Sequence, residues 1–280
     1  MRYTGPMKRP QTRTGYSQRI DRVVRHIHAN LDADLDLQRL ADIACLSAYH
    51  FHRIYHAVTG ETLSATLSRL RLHRAAVTLS QTDQPLGAIA RAAGYGSVSA
   101  FSRAFREAYG KAPSRFRADA HSPGATTMPD IVITTRPEMQ LLVTEHRGAP
   151  HRIGEAFDRL VAWGAPRGLL GPGRVGVSIY LTDMGLPEPE HRALAGFSVT
   201  EEMTPDDPLI VPHLLPGGRH AVALHKGPYA KIGETWRAVY AWLAASDEQP
   251  ANRPAFEVNL NNPRLTPPEE LLTEVCVPLA

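Results

Sequence analysis

With 280 residues, 43% of them hydrophobic, the chain is long enough for two ordinary domains; it lacks the unbroken apolar run of a membrane span, an apolar signal segment after Met1, and any metal or redox spacing between Cys45 and Cys276. The net charge of +3 conceals a split: residues 1–117 hold 18 Lys and Arg against 8 Asp and Glu, while residues 118–280 hold 13 against 20. A basic half joined to an acidic half implies that only the first meets nucleic-acid phosphate, in a chain expected to be cytoplasmic.

Residues 1–15 read as a basic tail without order. Ser17 is placed to cap a first helix in which Ile20, Val23, Val24, Ile27 and Leu31 form one apolar stripe. Leu37 to Ala44 and Ser47 to Val58 follow as two short helices around a tight turn. Thr62 to Leu79 is a long helix with Leu63, Leu67, Leu70 and Ala75 inward and Arg69, Arg71 and Arg74 along it, suited to hold its neighbours at a fixed separation. A break at Gln81–Gln84 leads through Pro85 into a helix ending at Ala93, and Gly94-Tyr95-Gly96 makes a second tight turn. Beyond it Ser97 stands at an N-cap, and Phe101, Ala104, Phe105 and Ala108 recur at helical spacing. Ser99, Ser102, Arg103 and Arg106 recur on a different face, short, polar and cationic, as the edge of a DNA groove requires.

One such helix is an ordinary amphipathic helix; here the pattern occurs twice. At an offset of 50, Ser47 pairs with Ser97, Phe51 with Phe101, Arg53 with Arg103, Tyr55 with Phe105 and Gly60 with Gly110. The preceding helices match at an offset one shorter (Leu37/Leu86, Leu40/Ile89, Ala41/Ala90), because Gly96 lengthens the second turn. Helix, tight turn, helix in tandem is a doubled helix-turn-helix. His50, His52 and His56 have no spaced acidic or Cys partner, so neither a metal site nor a cofactor is expected.

Residues from about 17 to 117 resemble the DNA-binding module of the arabinose-regulator (AraC/XylS) family, through the paired motifs, the Arg71-Leu72-x-x-Ala75 run and the closing signature from Ile89 to Arg117. Leu63 stands where that family often has Pro, and Phe116 replaces a usual Tyr. The resemblance implies that a single chain, a monomer or weak homodimer, spans two successive major-groove turns of double-stranded DNA, ~34 Å apart. Tyr49, His52 and Arg53 in the first reading helix and Ser99, Ser102 and Arg103 in the second are then expected to read bases, with Arg69, Arg71, Arg106 and Lys111 on phosphate.

Residues 118–129 read as a linker, after which β-branched runs begin. The acidic half carries its own repeat at an offset of 79: His146-Arg147-Gly148 with His225-Lys226-Gly227, and Ile153 to Trp163 with Ile232 to Trp242, including Phe157/Trp236. Each unit reads strand, loop, helix, strand, long loop, strand. Two units, about 131–200 and 219–280, are expected to form a continuous antiparallel sheet with helices on one face and a cleft on the opposite face. The fold class is thus multidomain: an all-α tandem helix-turn-helix domain (16–117, motifs at about 36–58 and 85–109), then an α+β domain of two pseudo-symmetric repeats (130–280).

Residues 129–280 resemble the gyrase-inhibitor-like (GyrI-like) effector-binding domain also found in Rob-type and multidrug-sensing regulators, through Gly227-Pro228-Tyr229, Pro254-x-Phe256-Glu257, Asn261-Asn262-Pro263 and Pro267-Pro268-Glu269-Glu270. In Phe256-Glu257-Val258-Asn259 alternation sets Glu257 and Asn259 against the apolar face, expected to lie under the helices; the 79-residue offset pairs them with Ser178 and Tyr180. The resemblance implies that Glu257 meets a cationic or polar group of an aromatic small-molecule effector, with Trp163, Tyr229 and Trp242 as candidate walls. Asn259, where an aromatic is common, points to a more polar ligand. The chain reads as a bacterial transcription regulator without enzymatic activity. Hydrolysis by Glu257 and Tyr180, and a protein partner such as RNA polymerase for the acidic half, are the alternatives.

Overall fold

The computed structural model describes residues 10–121, 129–171, 173–182, 186–201 and 203–280. Among the described residues the basic half holds helices and no strand: α1 (Pro10–Ala29), α2 (Leu37–Ile43), α3 (Ala48–Thr59), α4 (Leu63–Gln81), α5 (Leu86–Ala92), α6 (Val98–Tyr109) and α7 (Pro113–His121). Ser97 caps its helix where the sequence puts it, accepting from the Ala100 amide, and its repeat partner Ser47 accepts from His50. Thr62, read as the first residue of its helix, is a cap as well, accepting from Ala65. Two expectations fail at the ends. The first helix opens at Pro10, a residue suited to a first turn, so residues 10–15 are helical; residues 1–9 lie outside the described residues. Ser17 is therefore no cap but a buried position inside α1, its hydroxyl accepting from Arg167 at 3.3 Å. At the other end α7 runs to His121, past the expected linker start at 118, because Arg115 and Lys111 both pair with Asp119 and hold its last turn.

Gly94 shows why the second turn needs glycine. Its φ is +79°, and a Cβ there would come within 2.8 Å of the Arg71 guanidinium. That guanidinium is fixed, donating to Leu31 O at 2.9 Å and Ala33 O at 2.8 Å. Gly94→Ala should lower stability by about 1–3 kcal/mol, read by urea unfolding; a neutral change would mean Arg71 swings aside freely.

The acidic half adds β1 (Ile131–Arg136), β2 (Met139–Arg147), α8 (Gly154–Gly164), β3 (Gly176–Tyr180), β4 (Arg192–Ser198), β5 (Val211–Leu215), β6 (Gly218–Lys226), α9 (Ile232–Ala244), β7 (Phe256–Asn259) and β8 (Leu272–Pro278). They form one antiparallel sheet in the order β1-β6-β8-β7-β3-β4-β2-β5. The repeat is visible as β2-α8-β3-β4 against β6-α9-β7-β8, meeting at the central β3–β7 pair. Each half takes its edge strand from the other half: β1, which opens the first, pairs with β6, and β5, which precedes β6 as β1 precedes β2, pairs with β2.

That exchange curls the sheet. β1 and β2 lie near opposite ends of the strand order yet are joined by Pro137-Glu138 alone; β5 and β6 are joined by Pro216-Gly217. The ends must therefore meet. The two turns pack so closely that a Cβ on Gly217 would lie 2.7 Å from Arg136 O and Glu138 N. Inside the curl, Leu141, Val143, Val177, Ile179, Phe256, Val258 and Cys276 make an apolar core without any helix. On the outer face α8 packs over Leu142 and Ala195, and α9 over Ala221, Ala223, Val275 and Val277. The apolar side of β7 is thus buried within the curl, not under the helices, and the expected cleft face is reversed: Glu257 and Asn259 lie on the helix-bearing side.

Candidate nucleic-acid interface and ligand cleft

Both reading helices turn the residue types singled out above toward solvent. On α3, Tyr49, His52 and Arg53 are exposed, Tyr49 at 66%, and Arg53 donates to the Tyr49 hydroxyl at 2.7 Å. On α6, Ser99, Arg103 and Arg106 are exposed and Ser102 is half-buried, while Phe101 and Phe105 on the other side are fully buried. The four candidate phosphate contacts divide. Arg106 is exposed. Arg71 is committed to the carbonyls of Leu31 and Ala33. Arg69 pairs with Glu61 at 2.6 Å and faces Asp158 at 3.6 Å, and Lys111 lies between Asp119 and Glu269. These three hold the protein to itself. Sequence spacing could not show this, because Asp158 and Glu269, which face Arg69 and Lys111, come from the other half of the chain, and the carbonyls that hold Arg71 lie 40 and 38 residues upstream of it.

The cleft follows from where the helices sit. α8 covers β2 and β4, α9 covers β6 and β8, and the central strands β3 and β7 are left open between them. Gly176 pairs with Asn259 and Ser178 with Glu257 across that seam, so Ser178, Tyr180, Glu257 and Asn259 do converge. Glu257 is 5% exposed; one carboxylate oxygen accepts from the Trp236 indole at 2.6 Å, and the Tyr180 hydroxyl also bonds to it. Burial away from water outweighs both bonds and pushes the carboxyl up to about 7. Tyr180 and Tyr229 are raised, first by burial and then by the Glu257 charge.

The walls differ from those expected. Tyr229 lines the cleft, but Trp163 points to the far end of α8, where its indole donates to Asp206 at 2.8 Å and stacks under Arg167. Trp242 packs into the core between α9 and the sheet. The aromatic walls are Phe157 on α8 and Trp236 on α9, with Tyr240 beyond, stacked on Trp236. Phe157 and Trp236 are partners at the 79-residue offset, a signal that was present in the repeat. A cavity of ≈ 2290 Å³ begins at this seam and continues past the start of α9 to Arg69, His73 and Val77 of α4. That exceeds the roughly 300–1,000 Å³ of ordinary ligand sites, because it includes the junction of the two halves. Burial in this junction lowers the His73 imidazole to about 4, keeping it neutral. Among the described residues no three His, Cys, Asp or Glu side chains gather as a metal site, and no helix is long and apolar enough to cross a membrane.

Two solvent-facing reading helices joined to a cleft with a buried carboxylate between aromatic rings define a DNA-binding regulator with a small-molecule binding domain. Comparison with known proteins agrees: residues 129–280 match the GyrI-like small molecule binding domain and residues 40–119 a helix-turn-helix domain. The chain belongs to the GyrI-like small molecule binding domain family and carries an AraC-type helix-turn-helix module. Over 101 residues it is 35% identical to the bifunctional transcriptional activator/DNA repair enzyme AdaA of Bacillus subtilis (strain 168), covering 36% of this chain and 48% of that protein, so the likeness spans about half of AdaA. Over 102 residues it is 32% identical to the regulatory protein SoxS of Salmonella typhimurium (strain LT2), covering 36% of this chain and 95% of SoxS. The crystal structure of the EcmrR C-terminal domain is similar over 54% of this chain and 98% of that one, with 14% identity and a TM-score of 0.44.

Proposed function

We propose that the chain switches transcription in response to a cationic, partly aromatic small molecule that also carries a hydrogen-bonding group. The observation that carries this reading is Glu257, a carboxylate buried at the seam between Phe157 and Trp236, with Asn259 two residues along the same strand face. An arriving cation supplies the opposite charge that burial withholds, and aromatic faces favour it further. Binding rather than turnover is assigned to the cleft, because the Tyr180 hydroxyl is already bonded to Glu257 and its own ionisation is disfavoured. Hydrolysis of a p-nitrophenyl ester by purified protein, abolished by Glu257→Gln, would reverse that assignment.

On the DNA side, Tyr49, His52, Arg53, Ser99, Ser102 and Arg103 are proposed as base readers and Arg106 as a phosphate contact, supported by the exposure on α3 and α6 of all but the half-buried Ser102. Arg103→Ala should cost about 1–3 kcal/mol at the preferred sequence and relax one base position. Arg106→Ala should weaken all duplexes alike and make the salt slope shallower by about one. Binding selections at two salt concentrations test this; equal loss of sequence preference from both variants would refute the division of roles.

A further inference from the structure

The helical module has two cores rather than one. Leu63, Leu67 and Leu70 of α4 pack with α1, α2 and α3, whereas Leu72, Ala75, Ala76 and Leu79 pack with α5, α6 and α7. Each reading helix thus belongs to its own core, and α4 is shared by both. The small-molecule domain holds the two cores separately. Ala162 of α8 packs into the first core. Beside it Asp158, also on α8, is buried against His28 Nε2 at 2.8 Å, Arg69 Nη2 at 3.6 Å and the Arg264 guanidinium. The second core instead receives Ala230, from the turn that opens α9. There Ser80 donates to Ala230 O at 3.4 Å, Lys231 Nζ lies 4.9 Å over the Phe116 ring, and Lys111 faces Glu269 at 3.8 Å. The first repeat grips the first motif through α8, and the second repeat grips the second motif through the turn before α9 and reaches the first through Arg264 alone among these contacts; the cleft lies between α8 and α9.

We propose that the small-molecule domain sets the separation of the two reading helices: an occupant wedged between α8 and α9 shifts one repeat against the other, and each repeat carries its own motif with it. This deepens the proposed function and rests on it for the trigger, not for the grip. Reading two successive major-groove turns demands a fixed offset between α3 and α6, so a shift of an ångström or two is enough to change DNA affinity. Arg264 ties the two grips together. It belongs to the second repeat, on the loop that leaves Asn259, yet its guanidinium sits between Asp158 and the carbonyl of Thr59 at the end of α3. Ligand seat and strap are on one short segment.

Spin labels on Cys45, exposed just before α3, and on a cysteine introduced by Glu107→Cys on α6 report this separation in the full chain; Cys276 is buried and stays unlabelled. Without ligand, the distance distribution should be narrow, and Asp158→Asn or Lys231→Ala should each broaden it roughly twofold by releasing one grip. Lys231→Ala removes a partly exposed contact, so it keeps the test alive if Asp158→Asn folds poorly. Arg219→Ala, which breaks an exposed pair with Glu248 away from both cores, should leave the distribution unchanged. Equal widths for wild type, Asp158→Asn and Lys231→Ala would overturn the proposal and leave α4 alone in charge of the spacing. Tetraphenylphosphonium should then shift the mean distance in the unaltered interface. A cation that binds, seen by tryptophan quenching, without moving the distance also overturns it. A cation that fails to bind counts against the effector reading instead, and the ligand-free widths still decide the grip.

Discussion

Glu257→Gln should weaken binding of tetraphenylphosphonium, a probe of the cationic and aromatic features alone, by more than about tenfold, since the variant removes the negative charge that faces the cation in a site shielded from water. The effect carries a pH signature. The wild-type carboxyl sits at about 7, so binding a cation must ionise it, and affinity should climb as pH rises toward about 7 and then level off. The Gln variant should show a flat profile. Stability should move oppositely. The folded carboxyl is raised above its ordinary 4.5, so its stabilising contribution is complete below that value and is lost as pH rises through about 7. The lost amount is on the order of 3 kcal/mol. Gln can still accept from the Trp236 indole, so the variant should melt near wild type at pH 5 and above it at pH 8. Calorimetry and thermal melts at the two pH values check both halves. A variant that melts lower at both, or binds the cation undiminished, would make Glu257 a structural residue.

Asp158→Ala should destabilise the chain by about 3–5 kcal/mol, because it leaves the buried Arg264 and the half-buried Arg69 without a shared carboxylate. Glu61 remains beside both guanidiniums at 2.6 and 3.7 Å and limits the damage. The wild-type carboxyl is buried, yet the charges of Arg69 and Arg264 and the His28 bond hold it well below its ordinary 3.8. Its contribution is therefore present above about 4 and is lost as pH falls below that value toward the depressed folded pKa. Urea unfolding at pH 7 should separate the variant widely from wild type, and the gap should narrow at pH 3. A loss under about 1 kcal/mol at pH 7 would place the cluster with ordinary solvated ion pairs.

The helical half was nearly all legible in the chain, because its determinants are local. The cap Ser97 and its repeat partner Ser47, the stripe Phe101-Ala104-Phe105 and the punctuation at Gly94 and Pro85 act within one or two turns of themselves. The same locality separated the outward Arg103 and Arg106 from the inward phenylalanines. The repeat at 79 residues likewise located the β3–β7 seam and brought Ser178, Tyr180, Glu257 and Asn259 to it, since register between two copies follows from their symmetry. What failed, besides the Ser17 cap and the ends of α1 and α7, was decided at long range. Alternation in Phe256-Glu257-Val258-Asn259 shows that the strand has two faces and cannot say which one the helices cover. The curl of the sheet, forced by the two-residue links at Pro137-Glu138 and Pro216-Gly217, buries the apolar face without help from a helix and so opens the cleft on the helix side.

The roles of Arg69, Arg71 and Lys111 were hidden for the same reason. A cationic side chain on a helix reads identically whether phosphate, a carboxylate or a backbone carbonyl waits for it; here Asp158 and Glu269 lie in the other half of the sequence, and the carbonyls that hold Arg71 lie 40 and 38 residues upstream. The aromatic walls fell between the two cases. The repeat paired Phe157 with Trp236, but only the packing of α8 and α9 on the outer strands shows that these two rings face the seam while Trp163 and Trp242 do not. The amino-acid sequence by itself determined the two motifs, the duplicated α+β unit and the carboxylate at its centre. The tertiary structure decided which face of the sheet is the cleft and which cations are free for DNA, because both depend on pairings between residues far apart in the chain, which no local spacing encodes.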